Sequence, residues 1–234
     1  MAGDLEVASL TESSQRYLEA IYILEHTGGA IAARVAERLA VRAPSVTQAL
    51  RRLEATALLT VAPDRTLHLT TAGTSLAEQV MRRHRVLERW LVEGLGLDWA
   101  QAHGEAQRME HAVSTEVVDR LYRAMGQPTT CPHGNPIPGR AGLPPYAGSL
   151  TLDQAPPGTA GRVARIAEDA EESVDALVHF DRLALRPGTL LLVLANTSSS
   201  GAASGGTVGF RVGENSHTLS QALAAQVWID LAET

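Results

Sequence analysis

The chain has one cysteine, no lysine and no long apolar run among its 234 residues, and each shortage narrows what it can be. Cys131 alone cannot close an internal disulfide, and by itself it cannot build a thiolate metal cluster. Metal ligands, if there are any, are therefore expected to be mostly histidine and carboxylate. No apolar stretch reaches the roughly 18 residues needed to cross a bilayer, so no membrane partner is expected. The opening Met1-Ala2-Gly3-Asp4-Leu5-Glu6 carries acid and lacks the basic-then-apolar order of a secretory signal, which points to a cytoplasmic location. Without lysine, all 20 basic residues are arginine, a bias that genomic base composition alone can produce and so no sign of phosphate binding.

What is present is ordinary globular material: 44% hydrophobic and 20% charged residues, in a chain long enough for two or three small domains. The net charge of −6 argues only superficially against nucleic acid, because the charge is unevenly spread. Between Arg34 and Arg85 nine arginines face four acids, a local excess of +5, which leaves −11 elsewhere. Eight of the eleven prolines lie between Pro128 and Pro157, mixed with glycines, a composition that neither a helix nor a central strand tolerates.

Before that stretch the periodicity is helical. Tyr17, Leu18, Ile21, Tyr22 and Leu24 make one apolar face, Ile31, Val35 and Leu39 a second, and Val46, Leu50 and Leu53 a third. Met109, Val113, Val117, Leu121 and Met125 recur every four residues and predict one long helix packed against another. Beyond the proline-rich stretch, Val163–Ile166, Leu190–Ala195, Val208–Val212 and Val227–Ile229 read as short strands of a small barrel or sandwich. Leu185 to Thr189 reads as a tight turn, and Asn196 to Gly206 as a flexible loop. The expected organisation is mainly α in the N-terminal half and β in the remainder: 1–74, 75–140, a linker over 141–158, and a β domain over 159–234.

Two constellations carry chemistry. Pro44 suits the first turn of a helix, so Val41-Arg42-Ala43 reads as the break of a helix-turn-helix. The helix it opens buries Val46, Leu50 and Leu53 and leaves Ser45, Thr47, Gln48, Arg51 and Arg52 outside. Hydroxyls and arginines bind phosphate, glutamine pairs with adenine, and the Thr47 methyl suits a thymine methyl. Two short strands then flank Pro63-Asp64-Arg65, a wing with Arg65 near its tip. Arg34, Arg42, Pro44, Ser45, Thr47, Gln48, Arg51, Arg52 and Arg65 are the expected DNA-facing set. The second constellation is His84 and Glu88, four apart on one helical face, with His103, Gln107, Glu110 and His111 as a second group. Imidazole and oxygen donors in that number suit Mn²⁺, Fe²⁺, Co²⁺, Ni²⁺ or Zn²⁺.

Ala36-Glu37-Arg38-Leu39, Pro44-Ser45-Val46-Thr47-Gln48, Arg83-His84-Arg85, Glu110-His111 and Gly134-Asn135-Pro136-Ile137-Pro138-Gly139 together resemble the diphtheria-toxin-repressor family of iron- or manganese-dependent regulators. The match runs in order from about Leu10 to Gly139, and the β-rich remainder is similar to the SH3-like third domain of the family's longer members. The resemblance implies a winged helix-turn-helix DNA-binding domain, a helical metal-sensing and dimerisation domain, and an SH3-like C-terminal domain. It implies one metal site at His84, Glu88 and His103, helped by third-domain side chains for which Glu172 and Asp175 are candidates. Glu110 and His111, with position 107, would belong to a second, activating site.

This sequence departs from the family at two places. Position 107 is Gln where Cys or Glu is usual, and position 16 is Arg where Met or Asp is usual; a guanidinium stays protonated and cannot ligate. Glu19, one turn along, can substitute, or Arg16 can pair with a carboxylate and leave the second site weak. With no soft ligand counted, Mn²⁺ is the expected activator and Fe²⁺ its close competitor. The expected partners are double-stranded DNA with a palindromic operator and a second copy of the chain, and the expected role is repression of metal-uptake genes.

Two other classes compete with that reading. One is a winged-helix regulator of an organic or redox signal, with structural His/Glu groups. The other is a metal-dependent hydrolase built on His84, His103 and His111. The sequence has no His-Glu-x-x-His, no phosphate-cradling glycine loop and no nucleophile elbow, so no enzyme is expected. An SH3-like domain can also bind the proline-rich linker.

Overall fold

A computed structural model describes residues 10–139, 149–197 and 206–231. Helix α1 (Glu12–His26) starts at Thr11, whose hydroxyl oxygen accepts from the Ser14 N–H. Helices α2 (Ala32–Arg38) and α3 (Ala43–Ala55, with Pro44 in its first turn) form the helix-turn-helix, and Ala40 takes φ 50° between them. Strands β1 (Leu59–Val61) and β2 (Leu67–Leu69) pair antiparallel as the wing, and the Leu67 N–H donates to the Ala30 carbonyl to fix it to the helices. Thr70 then caps the 23-residue α4 (Thr71–Glu93).

Leu18, Ile21, Val35, Val46, Leu53, Leu58 and Leu67 form the first core, and α4 completes it with Leu76, Ala77, Val80 and Met81. Further along the same helix, Val86, Leu87 and Leu91 serve the next core. The boundary expected at 74/75 thus falls inside one continuous helix that belongs to both units.

The single long helix expected through Met109 to Met125 is two. Helix α5 (Ala102–Met109) ends at Glu110, and α6 (Thr115–Ala124) starts afresh at Ser114, whose hydroxyl oxygen accepts from the Val117 N–H at 3.4 Å. A serine at an N-cap satisfies an otherwise orphaned donor, a local gain that outweighs the four-residue periodicity. The break shifts the apolar register: Val118 is buried at 3% exposure, while Val117 of the expected stripe stands out at 45%.

The C-terminal half is an SH3-like antiparallel sheet in the order β3-β8-β4-β5-β6-β7. Its strands are β3 (Ser149–Thr151), β4 (Ala160–Ile166), β5 (Leu190–Thr197), β6 (Thr207–Val212), β7 (Asn215–Ser220) and β8 (Val227–Leu231). Short helices α7 (Glu168–Glu171), α8 (Val174–Arg182) and α9 (Gln221–Ala224) fill the connections. All four expected strands are there. Strand β3 lies inside the span read as linker: Leu150 pairs with Ile229, and Leu152 and Ala155 enter the core, despite the prolines nearby. Residues 141–148 of that span, and 198–205 of the loop expected after β5, lie outside the described residues. Trp99 and Ala100, between α4 and α5, are buried in the core of this sheet and join it to the helical part.

Gly134 sits where the 131–136 turn crosses β4. Its φ of +92° disfavours any L side chain, and an added Cβ would come within 2.2 Å of the Ala164 carbonyl oxygen. Gly134→Ala is expected to lower the unfolding free energy by about 1–3 kcal/mol, read from denaturant curves; an unchanged midpoint would contradict this packing.

Candidate metal centre and DNA-reading surface

Glu88 is the centre of the buried polar cluster. One turn before it on α4, His84 places Nε2 3.0 Å from Glu88 Oε1 and 3.1 Å from His103 Nδ1. Helix α5 brings His103 in from the other side, 3.1 Å from the same Glu88 oxygen. The other nitrogen of His84 lies 2.7 Å from Glu110 Oε2, so a single imidazole bridges the two groups that sequence spacing separates. Donor atoms of His84, Glu88 and His103 lie within 4.8 Å of one another, as do those of Glu88, Cys131 and His133. Glu88 is fully buried and its Oε2 has no hydrogen-bond partner among the described residues, a costly state for a carboxylate that a cation would relieve. By that test the donors fit a divalent ion.

The third domain contributes through α7 and the residue after it. Glu171 lies 3.5 Å from His103 and 3.6 Å from His133, and Glu172 lies 3.7 Å from His103. Asp175 stands exposed in the first turn of α8, and among the described residues it makes no ion pair with the cluster; Glu171, one turn earlier, fills the place expected of it. Glu168 pairs with the buried Arg85 of α4, and Asp169 with Arg38 of the helix-turn-helix.

The charges explain one another. Burial penalises a charged imidazole, but Glu88 and Glu110 hold His84 well above its usual range, and Glu171, Glu172 and Glu88 do the same for His103. Burial likewise raises a carboxyl, yet His84 and His133 bring Glu88 well below the ordinary carboxylate range. Glu19 is less fully compensated: burial, then repulsion from Glu110, push it up to about 7 against the opposing pull of His84, Arg38 and His103. His111 lies at the edge of the cluster, with Nδ1 3.0 Å from Gln15 Oε1 and Nε2 3.3 Å from Glu110 Oε1. Gln107 is half-buried and lines a cavity with Arg16 and His111.

In the first domain, Arg42, Pro44, Ser45, Thr47, Gln48, Arg51 and Arg52 are all exposed around α3, and Arg65 is exposed at the wing turn with φ 68°. The Thr47 hydroxyl donates back to the Ala43 carbonyl, which leaves its methyl for contact. Arg34 differs from expectation. Its guanidinium donates to the Gly29 and Thr27 carbonyls at 2.6 and 3.1 Å, closing the turn after α1.

Residues 9–67 match the family model described as the iron dependent repressor N-terminal DNA binding domain, and residues 70–139 match its metal binding and dimerisation domain. The chain is 39% identical over 194 residues to the iron-dependent repressor IdeR of Mycobacterium tuberculosis, covering 79% of this chain and 84% of that one. The chain belongs to the diphtheria-toxin-repressor family of metal-dependent repressors. The diphtheria toxin repressor of Corynebacterium diphtheriae is 43% identical over 151 residues, 64% of this chain and 65% of that protein. A solved manganese-dependent transcriptional repressor in complex with manganese superposes with a TM-score of 0.80 at 29% identity, covering 94% of this chain and all of the other. The repressor ScaR with bound Cd²⁺ superposes at 0.77 with 28% identity, over 93% and 98% of the two chains.

Within this family fold, sequence reasoning missed three donors. His133 and Glu171 carried no helical spacing to His84, because a turn and a separate domain deliver them. Cys131 was set aside as a lone thiol, whereas here it needs no second cysteine: Glu88 and His133 complete its set. Cys131 thus adds a candidate soft donor to the Glu88 cluster, while the donors beside α1 remain imidazole and oxygen. Burial and the nearby Glu88 and Glu171 raise its thiol well above the usual range, so it is protonated in the metal-free protein.

The raised histidines have a pH consequence. Their pKa values lie above those of the unfolded chain, so the stability they give is present at low pH and lost as pH rises through the folded values. At neutral pH they hold protons that an ion must displace. Mn²⁺ affinity is expected to rise with pH between 6 and 8, with proton release visible as a buffer-dependent enthalpy in calorimetry. A pH-independent affinity would contradict the cluster's charge state.

Proposed function

We propose that this chain is a Mn²⁺-activated repressor of metal-uptake genes, with Fe²⁺ as its close competitor, acting in the cytoplasm as a homodimer on a palindromic operator. The observation that carries the reading is the buried Glu88 cluster, whose donors come from α4, α5, the 131–136 turn and α7 and meet where the helical part and the sheet join. We assign His84, Glu88, His103, Cys131, His133, Glu171 and Glu172 to that centre, and Glu110, His111, Gln107 and Glu19 to a second centre beside α1. The division into a DNA-reading unit, a helical sensing and dimerisation unit and an SH3-like unit follows the same lines, with α4 shared between the first two.

A bound divalent ion supplies positive charge at a point where carboxylates otherwise rely on protons. The protein's own residues do the rest. Glu110 links His84 to His111, and His111 reaches α1 through Gln15. Glu19 presents a half-buried carboxyl from the same helix. Holding α1 against α5 fixes the helix-turn-helix that packs on α1, and in a symmetric dimer this sets the separation of two α3 helices against half-site spacing. The ion favours whichever state brings the donors together, and a differential of about 1–3 kcal/mol suffices for a 5–150-fold change in DNA affinity.

Protein stripped with chelator and offered a random duplex pool is expected to enrich a palindrome only after Mn²⁺ or Fe²⁺ is restored. Equal enrichment without metal would make the cluster structural, and activation by Zn²⁺ alone at cell-like concentrations would refute the metal assignment. Gln48→Ala is expected to lose about 1–3 kcal/mol of discrimination at one base pair while Mn²⁺ binding by calorimetry stays unchanged; retained base preference would remove Gln48 from the reading surface.

A further inference from the structure

The start of α1 answers the question raised by Arg16. Arg16 is exposed and lines an open cavity of about 530 Å³ with Glu12, Gln107 and His111, but a guanidinium brings no lone pair to it. One turn earlier, Glu12 reaches over the same imidazole. Gln15 sets that imidazole's tautomer: its amide nitrogen donates to the Leu10 carbonyl, which turns its oxygen toward His111 Nδ1 at 3.0 Å. An amide oxygen only accepts, so Nδ1 carries the proton and Nε2 offers a lone pair. Nε2 faces Glu110 Oε1 at 3.3 Å and Glu12 Oε1 at 3.8 Å.

An independent observation marks this point as incomplete. Glu110 is 1% exposed; its Oε2 is taken by His84, and its Oε1 is buried without a hydrogen-bond partner. That orphaned oxygen points toward the lone pair of His111, and Glu12 stands on the solvent side of both. Two carboxylate oxygens and an imidazole nitrogen suit Mn²⁺ or Fe²⁺, and the arrangement needs nothing from position 16.

We propose that Glu12 is the first-helix ligand of the second divalent-cation site, completing Glu110 and His111 in place of the residue at position 16. This rests on the metal-activated reading above. Glu12 lies in the first turn of α1, so the ligand exchange moves the point at which the ion grips that helix to its N-terminal end, next to the Thr11 cap.

The test is Mn²⁺ binding by equilibrium dialysis on the full chain, with free ion read by electron paramagnetic resonance. Wild type is expected to take up two ions per chain. Glu12→Gln is expected to weaken one of them about 10–100-fold, at least the penalty of losing an outer-shell partner, and to leave the other intact. Arg16→Ala is expected to keep both, and Glu88→Gln to lose the class that Glu12→Gln retains. Glu12 is 68% exposed on its side chain, so its variant should fold, which far-ultraviolet circular dichroism checks. Wild-type behaviour of Glu12→Gln overturns the proposal, as does a single ion per chain unaffected by that change. No Mn²⁺ or Fe²⁺ uptake by wild type would instead overturn the metal-activated reading itself.

Discussion

A carboxylate with no exposure to water, Glu88, sits where the helical part of this protein and its sheet join. Burying such a charge unpaired is prohibitively unfavourable, and here His84, His103 and His133 lie beside it while Glu88 and its acidic neighbours raise their pKa values. The cluster thus depends on positive charge brought to Glu88. Its donors come from segments far apart in sequence, so the arrangement exists only when those segments are docked, and whatever neutralises it stabilises the docking.

The acidic run Glu168 to Glu172 shows how finely that docking is distributed. Four carboxylates on about one helical turn go to different places: Glu168 to Arg85 on α4, Asp169 to Arg38 in the helix-turn-helix, Glu171 to Asn135 and the histidines, and Glu172 to His103. The Arg38 pair is half in solvent and contributes little by itself. The Arg85 pair is buried, and losing Arg85 would leave the Glu168 charge in a poorly solvated place. The third domain therefore touches both the Glu88 cluster and the helix-turn-helix through one short segment.

Much of this was legible in the sequence wherever the signal was local. The helix-turn-helix followed from three apolar faces and Pro44, the wing from two short runs around Pro63-Asp64-Arg65, and the His84–Glu88 pair from a four-residue spacing. The failures share a physical cause. The periodicity from Met109 to Met125 could not reveal that Ser114 would cap a new helix. Composition from Pro128 to Pro157 could not show that Leu150 and Leu152 enter a sheet whose partner, β8, lies some 75 residues later. Arg34 looked like its neighbours on the basic face until its distance from two carbonyls was known. His133, Cys131 and Glu171 join the cluster through tertiary contacts alone, and no spacing rule reports those.

Helices α4 and α1 are held differently in this packing. Helix α4 serves both the first core and the next, so bending it would disrupt packing on each side, and it acts as a fixed rod. Helix α1 is different. It packs on α4 through Leu18 and Ile21, but its other side carries Glu19, pushed up to about 7 by burial and by Glu110. A charged carboxyl held beside Glu110 disfavours the packed position of that helix. Positive charge placed near Glu110 reverses the sign of that term and favours the docked position. Since α2 and α3 pack against α1, the charge beside Glu110 bears on the helix that the helix-turn-helix rests on.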